Sequence, residues 1–210
     1  MANDWQDLTR TTTVFTRKPN WVENPISTFD TNSEFINYPG TQMDIYNLSN
    51  SIGYEITYRY SNLTKDDEYY IINFFINQQG MLKRFWLPWW KNSFRLAQNV
   101  SIDDSVITIQ HCGYNKIDQG YERIFILLET GDYISRKVVA VVENYNYENI
   151  ILQTPMNKNI NQDDILFFGR LLLVRFADDE LNLDFSNNKI SDLSIKYKEL
   201  PNEYELEEES

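Results

Sequence analysis

The only histidine and the only cysteine of this 210-residue chain are neighbours, His111 and Cys112. A zinc site of four Cys and His ligands cannot be built from them. A Cys–His nucleophile pair is not expected either, because adjacent residues of a strand point to opposite faces. The pair reads as a strand end before a turn at Gly113. One cysteine also excludes an intramolecular disulfide. Carboxylates are plentiful, with 31 Asp and Glu, and a glycosidase needs two of them about 5–9.5 Å apart. The adjacent pairs Asp103-Asp104, Asp163-Asp164 and Asp178-Asp179 sit in turn-like sequence. No calcium loop of the D-x-[DN]-x-[DN]-G type is present. There is no G-x-S-x-G, Walker A or G-x-G-x-x-G pattern, and the chain has only seven glycines. The sequence therefore predicts no catalytic residue, no cofactor and no metal site.

The densest aromatic segment is Phe85-Trp86-Leu87-Pro88-Trp89-Trp90. Each large aromatic ring can bury roughly 150–250 Å². Phe85, Trp86, Trp89 and Trp90 are the candidate packing or interface anchor, since Trp is enriched at protein-interface hot spots. An exposed Trp89 and Trp90 would instead make a sugar-stacking platform. Arg170 and Arg175 flank the apolar run Leu171–Val174, as charged ends of a buried strand would, and Arg175 could pair with Asp178 across a turn.

Charge narrows the partners. The net charge is −12, from 31 acidic and 19 basic residues. Nonspecific DNA or RNA binding needs a basic surface and is disfavoured. Six of the acids, Glu199, Glu203, Glu205, Glu207, Glu208 and Glu209, fall in the last twelve residues with no cation among them. That pattern predicts a solvated, disordered tail, with docking as its alternative use. No apolar run approaches the roughly 20 residues of a membrane helix, and the N-terminus has no signal-peptide pattern. The Asn-x-Ser/Thr matches at Asn47, Asn62 and Asn99 then read as accidents of an Asn-rich chain folded in a cytoplasm.

The elements that must position these residues are mostly strands. Ala occurs only four times, while Ile, Tyr, Phe, Val and Thr are abundant. Tyr54, Ile56, Tyr58 and Tyr60 alternate with polar residues and share one strand face. A helix over about 65–79 follows, with Thr64 as N-cap, Asp66, Asp67 and Glu68 in its first turn and Gly80 as its stop. Its core face carries Ile71, Phe74 and Phe75. Pro88 makes residues 81–96 an edge, bend or loop. Further strands are expected at Val106–Gln110, Arg123–Leu128, Lys137–Val142, Ile150–Gln153, Ile165–Phe168, Leu171–Phe176, Leu181–Phe185 and Leu193–Lys198.

The expected fold class is mainly β (α+β): an antiparallel β-sandwich or barrel with one bracing helix and a second small β-domain. The divisions are an extended N-terminal arm with short strands over 1–50, a strand–helix–aromatic strand unit over 51–99, a β-rich domain over 100–198 and the acidic tail over 199–210. A composition shift near 97–100 marks the boundary between the two β units.

Residues 72–96 carry a resemblance. A helix with Phe74 and Phe75 ends at Gly80 and is followed by Phe85-Trp86-Leu87-Pro88-Trp89. This resembles the distal tail, or baseplate hub, proteins of bacteriophages and their relatives in gene transfer agents. More loosely, Ile150–Pro155, Asp163–Ile165, Val174–Leu181 and Leu193–Leu200 resemble the turn-and-strand patterns of phage β-domains. The Trp89-Trp90 doublet and the polar first 50 residues depart from the gene-transfer-agent relatives. The resemblance implies a structural virion protein without enzymatic activity, made in a bacterial cytoplasm. It implies a homo-oligomeric ring, often a hexamer, between the tail tube and hub or fibre proteins, with no membrane partner. DNA would pass without specific binding, repelled by an acidic lumen. The N-terminal arm, acidic C-terminus and edge strands would suit docking to neighbouring subunits. The alternative is a β-sandwich carbohydrate-binding module of a receptor-binding protein.

Overall fold

In a computed structural model the described residues are 13–20, 26–30, 33–37, 43–47, 53–91, 94–114, 123–185 and 190–201. They form a mainly antiparallel β structure with one α-helix. In chain order the elements are β1 (Ile26–Asp30), β2 (Ser33–Asn37), β3 (Met43–Asn47), β4 (Gly53–Leu63), α1 (Lys65–Gln78), β5 (Phe85–Pro88), β6 (Val106–Gln110), β7 (Arg123–Leu128), β8 (Tyr133–Asn144), β9 (Tyr147–Leu152), β10 (Ile165–Phe176), β11 (Leu183–Phe185) and β12 (Ser191–Glu199). Two compact units emerge: one runs through Phe85 and resumes at Leu173, and the other is Trp86–Leu172. The divisions lie elsewhere than the composition shift near 97–100. The chain leaves the first unit and later returns to it, and a local change of composition carries no trace of that return.

In the first unit the strand order is β1-β4-β12-β10, and β11 shares the β12 edge with β10. Ile56, Tyr58 and Tyr60 of β4 and Leu193, Ile195 and Tyr197 of β12 alternate inward, and all are buried. Helix α1 begins with a reciprocal capping box. The Thr64 Oγ1 accepts from the Asp67 N–H at 3.4 Å, and Asp67 Oδ2 accepts from the Thr64 N–H at 3.2 Å. It ends at Gln79, which is left-handed (φ 55°), before Gly80 (φ 62°). A Cβ on Gly80 would overlap Asp179 Oδ1, which accepts from the Met81 N–H at 2.8 Å. Glycine is required there on both counts.

Phe15, in the segment expected to be an extended arm, is fully buried. Its ring lies 4.8 Å from Phe74, 5.8 Å from Tyr70 and 6.1 Å from Tyr60. Nearby, Asn20 uses both ends of its amide on Ser61, accepting from the N–H at 2.9 Å and donating to the carbonyl at 2.7 Å. A side chain thus stands in for a strand partner.

The second unit has the order β10-β7-β8-β9-β6, all antiparallel. Residues 94–97 hydrogen-bond to both ends of this path: Phe94 N–H to Phe168 O at 3.3 Å, and Ala97 N–H to Thr108 O at 2.9 Å. That bridging segment gives the sheet a barrel-like closure around Ile107, Ile109, Ile124, Ile126, Ile150 and Phe168.

Strand β10 and the end of β12 differ from their sequence outlines, and β8 and β9 run longer than theirs. Ile165–Phe168 and Leu171–Phe176 belong to a single strand, β10, because Gly169 does not break it. The Phe167 ring occupies the space beside Gly169, where a Cβ would sit 2.7 Å from its Cζ. The aromatic strand expected after the helix is β5, Phe85–Pro88, which pairs with β10 off the main path of the sheet and has Pro88 at its last position. Glu199 is not a tail residue: it closes β12, is buried, and its carboxylate accepts from the Tyr54 N–H at 3.0 Å. The remainder of the tail, 202–210, and the first twelve residues lie outside the described residues. Among the described residues no helix is long and apolar enough to cross a membrane.

Candidate functional site

The four anchor residues are placed mainly in the interior. Phe85 belongs to the first unit, where its ring lies 5.0 Å from Phe74 and 4.9 Å from Phe176. In the second unit Trp86 is buried beneath the Arg123 guanidinium, 5.3 Å from its ring centre. Trp90 is 2% exposed and packs 5.0 Å from Phe167 and 6.2 Å from Phe125. Its buried Nε1 has no hydrogen-bond partner among the described residues. Trp89 is half-buried, with the Arg170 guanidinium 4.7 Å from its ring and its own N–H on Arg170 O at 2.9 Å. The exposed Trp89-Trp90 platform that the carbohydrate-binding alternative requires is not formed. All four residues of β5 are buried, so both faces of that strand are covered. On α1, Ile71 and Phe74 are buried, while Phe75 is half-buried against Phe176 at 4.9 Å.

The paired acids act locally. Asp104 Oδ2 accepts from the Ser101 N–H at 2.7 Å, and Asp164 Oδ2 accepts from Asn161 Nδ2 at 2.8 Å. Asp179 holds the turn after α1. Arg175 makes no ion pair with Asp178 among the described residues.

Glu148 is the residue that sequence reasoning missed. It sits on β9 directly opposite Ile109 and Glu143, with its side chain 0% exposed. His111 and Cys112 do not point to opposite faces, because the chain has left β6 at Gln110 and curls over this carboxylate. The Cys112 N–H and Sγ each lie 3.3 Å from Glu148 Oε2. His111 Nδ1 lies 3.4 Å from Glu148 Oε1 and 3.7 Å from Glu143 Oε1. Burial pushes the Glu148 carboxyl up, but the Cys112 hydrogen bonds, the Tyr114 N–H and His111 together outweigh it and hold the group below the usual carboxylate range. Burial, then the adjacent Glu148, push the Cys112 thiol up to about 12. A thiol that donates to a carboxylate is the opposite of an activated nucleophile. The only signal in the sequence was the unusual Glu within an alternating strand pattern.

Among the described residues no group of three His, Cys, Asp or Glu side chains is placed to hold a metal ion. No protein-family model and no curated protein matches this chain.

What the surface offers is contact area. The β8–β9 hairpin holds Val139, Val142, Tyr145 and Tyr147 exposed, Tyr145 at 98%. Val142 and Tyr147 share the outer face of the β8-β9-β6 sheet with Val106, by the register that pairs Val142 with Asn149 and Gln110 with Tyr147. In the first unit, β1 pairs only with β4 among the described residues, and Ile26 on it is exposed. An open groove of about 550 Å³ runs beside β12 under residues 177–182, with Asp178, Asp179 and Glu180 on its rim.

Proposed function

We propose that this chain is a structural protein of a phage virion, in the tail tip, hub or baseplate. Copies form a ring, a hexamer by resemblance, that joins the tail tube to host-facing hub or fibre proteins. The observation that carries this reading is the β8–β9 hairpin, which holds Val139, Val142, Tyr145 and Tyr147 in solvent. Large apolar side chains held out together are what a protein partner covers, and Tyr is enriched in such interfaces. Among the described residues the outer edge of β1 has no pairing strand, and Ile26–Asp30 holds no Lys or Pro to blunt it. The segment that carries the resemblance, α1 through β5, serves as internal bracing. No catalysis belongs to the proposal: the paired acids serve turns, and the lone thiol is kept protonated.

The carbohydrate-binding alternative loses its platform, since Trp90 is buried and Arg170 covers Trp89. Cross-linking mass spectrometry on intact particles tests the assembly reading. The expected result is the chain cross-linked to itself and to tail-tube subunits, with links clustering near the hairpin. Absence from particles, or presence only at fibre tips, overturns it.

A further inference from the structure

The outer face of β8, β9 and β6 carries no charge. Direct cross-strand partners share a face, and the registers lay three outward rows across these strands. The first row is aliphatic: Ala140, Ile151 and Val106. In the central row Asn149 lies between Val142 and Thr108, and the Thr108 Oγ1 donates to Asn149 Oδ1 at 3.0 Å. The third row sets Tyr147 between the amides Asn144 and Gln110. All of these side chains are exposed or half-buried, while the rows between them hold the buried Ile107, Ile109, Glu148 and Ile150.

A sheet face kept for water alternates polar residues outward, and the first unit has such a face. The outward positions of β4 and β12 include Glu55, Arg59, Asp192, Lys196 and Lys198. Both signs are mixed there, as solubility favours. The β8-β9-β6 face differs in kind. It is uncharged in a chain of which 24% is charged, and its middle holds Val142 and Tyr147 about half in solvent. Covering it strands no charge, and the Thr108 hydroxyl already has its acceptor.

We infer that this face docks on the same face of a second copy of the chain. The inference rests on the assembly reading above and names the partner of its hairpin. Electrostatics favours the copy. Two molecules of net charge −12 repel where their charged surfaces meet, and on this face they can meet without setting one side-chain charge against another. A partner chosen by charge would need a charge to read, whereas an uncharged face matches its own image. Such a contact is isologous, with Asn149 near the two-fold axis, so it joins copies in pairs or stacks two rings face to face. Three strands and three rows cover about 14 × 20 Å, roughly 300 Å². A standard interface buries about 800 Å² per partner. The isolated pair is therefore weak, and a ring strengthens it by repeating it.

The test is sedimentation equilibrium of the full-length protein up to about 1 mM, where a micromolar Kd leaves most of the chain paired. The parent should self-associate. Asn149→Asp keeps an acceptor for Thr108 but sets a carboxylate at the centre of each face. It should weaken association by about tenfold or more, the scale of a like-charge clash at an interface. Asn149→Lys should weaken it as well, and an equimolar mixture of the two variants should recover the parental value. Unchanged thermal unfolding of each variant guards against misfolding. A parent that stays monomeric, association that ignores both charges, or variants that fail to rescue each other overturns the inference. A monomeric parent whose Tyr145→Ser/Tyr147→Ser variant is nevertheless depleted from particles would leave the assembly reading standing and give the face to a different protein.

Discussion

At the scale of single residues, the strongest effects belong to buried groups whose partners are few. Phe15 is the clearest case. It is enclosed by Tyr60, Tyr70, Phe74 and Phe85, so Phe15→Ala should lower unfolding free energy by about 3–5 kcal/mol in urea titration. Nothing in the sequence hinted at this, because Val14-Phe15 between polar residues has no periodicity to place it. Tyr60 and Tyr197 share a buried hydroxyl–hydroxyl bond of 3.0 Å. Tyr197→Phe should cost about 1–3 kcal/mol by stranding the Tyr60 hydroxyl, and the double change Tyr60→Phe/Tyr197→Phe should cost less than that. A double-mutant cycle checks the sign of the coupling. Glu148 gives a pH signature. Its carboxyl lies below the usual range in the folded chain, so its stabilisation is present above the unfolded value of about 4.3 and is lost as pH falls through the folded value. Glu148→Gln should destabilise at neutral pH and converge with the parent in acid. The same change should speed alkylation of Cys112, whose thiol is held near 12 by burial and by Glu148. At pH 8 the parent thiol should react on the order of a hundredfold slower than a free cysteine.

At the scale of elements, two adjacent residues at the end of α1 should respond in opposite senses. Gln79 is left-handed at φ 55°, a conformation in which Gly pays no Cβ penalty, so Gln79→Gly should stabilise by about 0.5–1 kcal/mol. Gly80→Ala should destabilise by about 1–3 kcal/mol, since its Cβ meets Asp179 in a backbone already at φ 62°. Chemical denaturation of the two variants decides both signs. The helix and β4 were legible because each writes its period plainly: Thr64 to Gly80 has cap, acidic first turn and stop, and Tyr54–Tyr60 alternates without a break. Strand β10 was legible only in halves. Its eight consecutive buried residues, Phe167–Val174, erase the alternation that marks a strand with one wet face, and Gly169 looks like punctuation until Phe167 is seen to need its space. The aromatic segment was found but not its orientation, because Trp types name an anchor without saying which side of a strand is dry.

At the scale of the whole molecule, what distinguishes packing from partnership is which readout a substitution moves. The chain's two passages between units, after Phe85 and after Leu172, were hidden from composition. They place Trp86, at the start of the second unit, among residues whose loss damages the fold itself. Trp86→Ala should cost about 3–5 kcal/mol, and a particle lacking that variant would report only on its instability. The hairpin is the cleaner probe of the proposed function. Tyr145 is 98% exposed and Tyr147 is half in solvent on the outer sheet face, so Tyr145→Ser with Tyr147→Ser should leave unfolding free energy within about 0.5 kcal/mol of the parent. If partners cover this face in the virion, the same double variant should be depleted from purified particles when it competes with the parent chain. Equal incorporation at unchanged stability would show that the hairpin meets no partner, and the assembly interface would then have to be sought along the edge of β1.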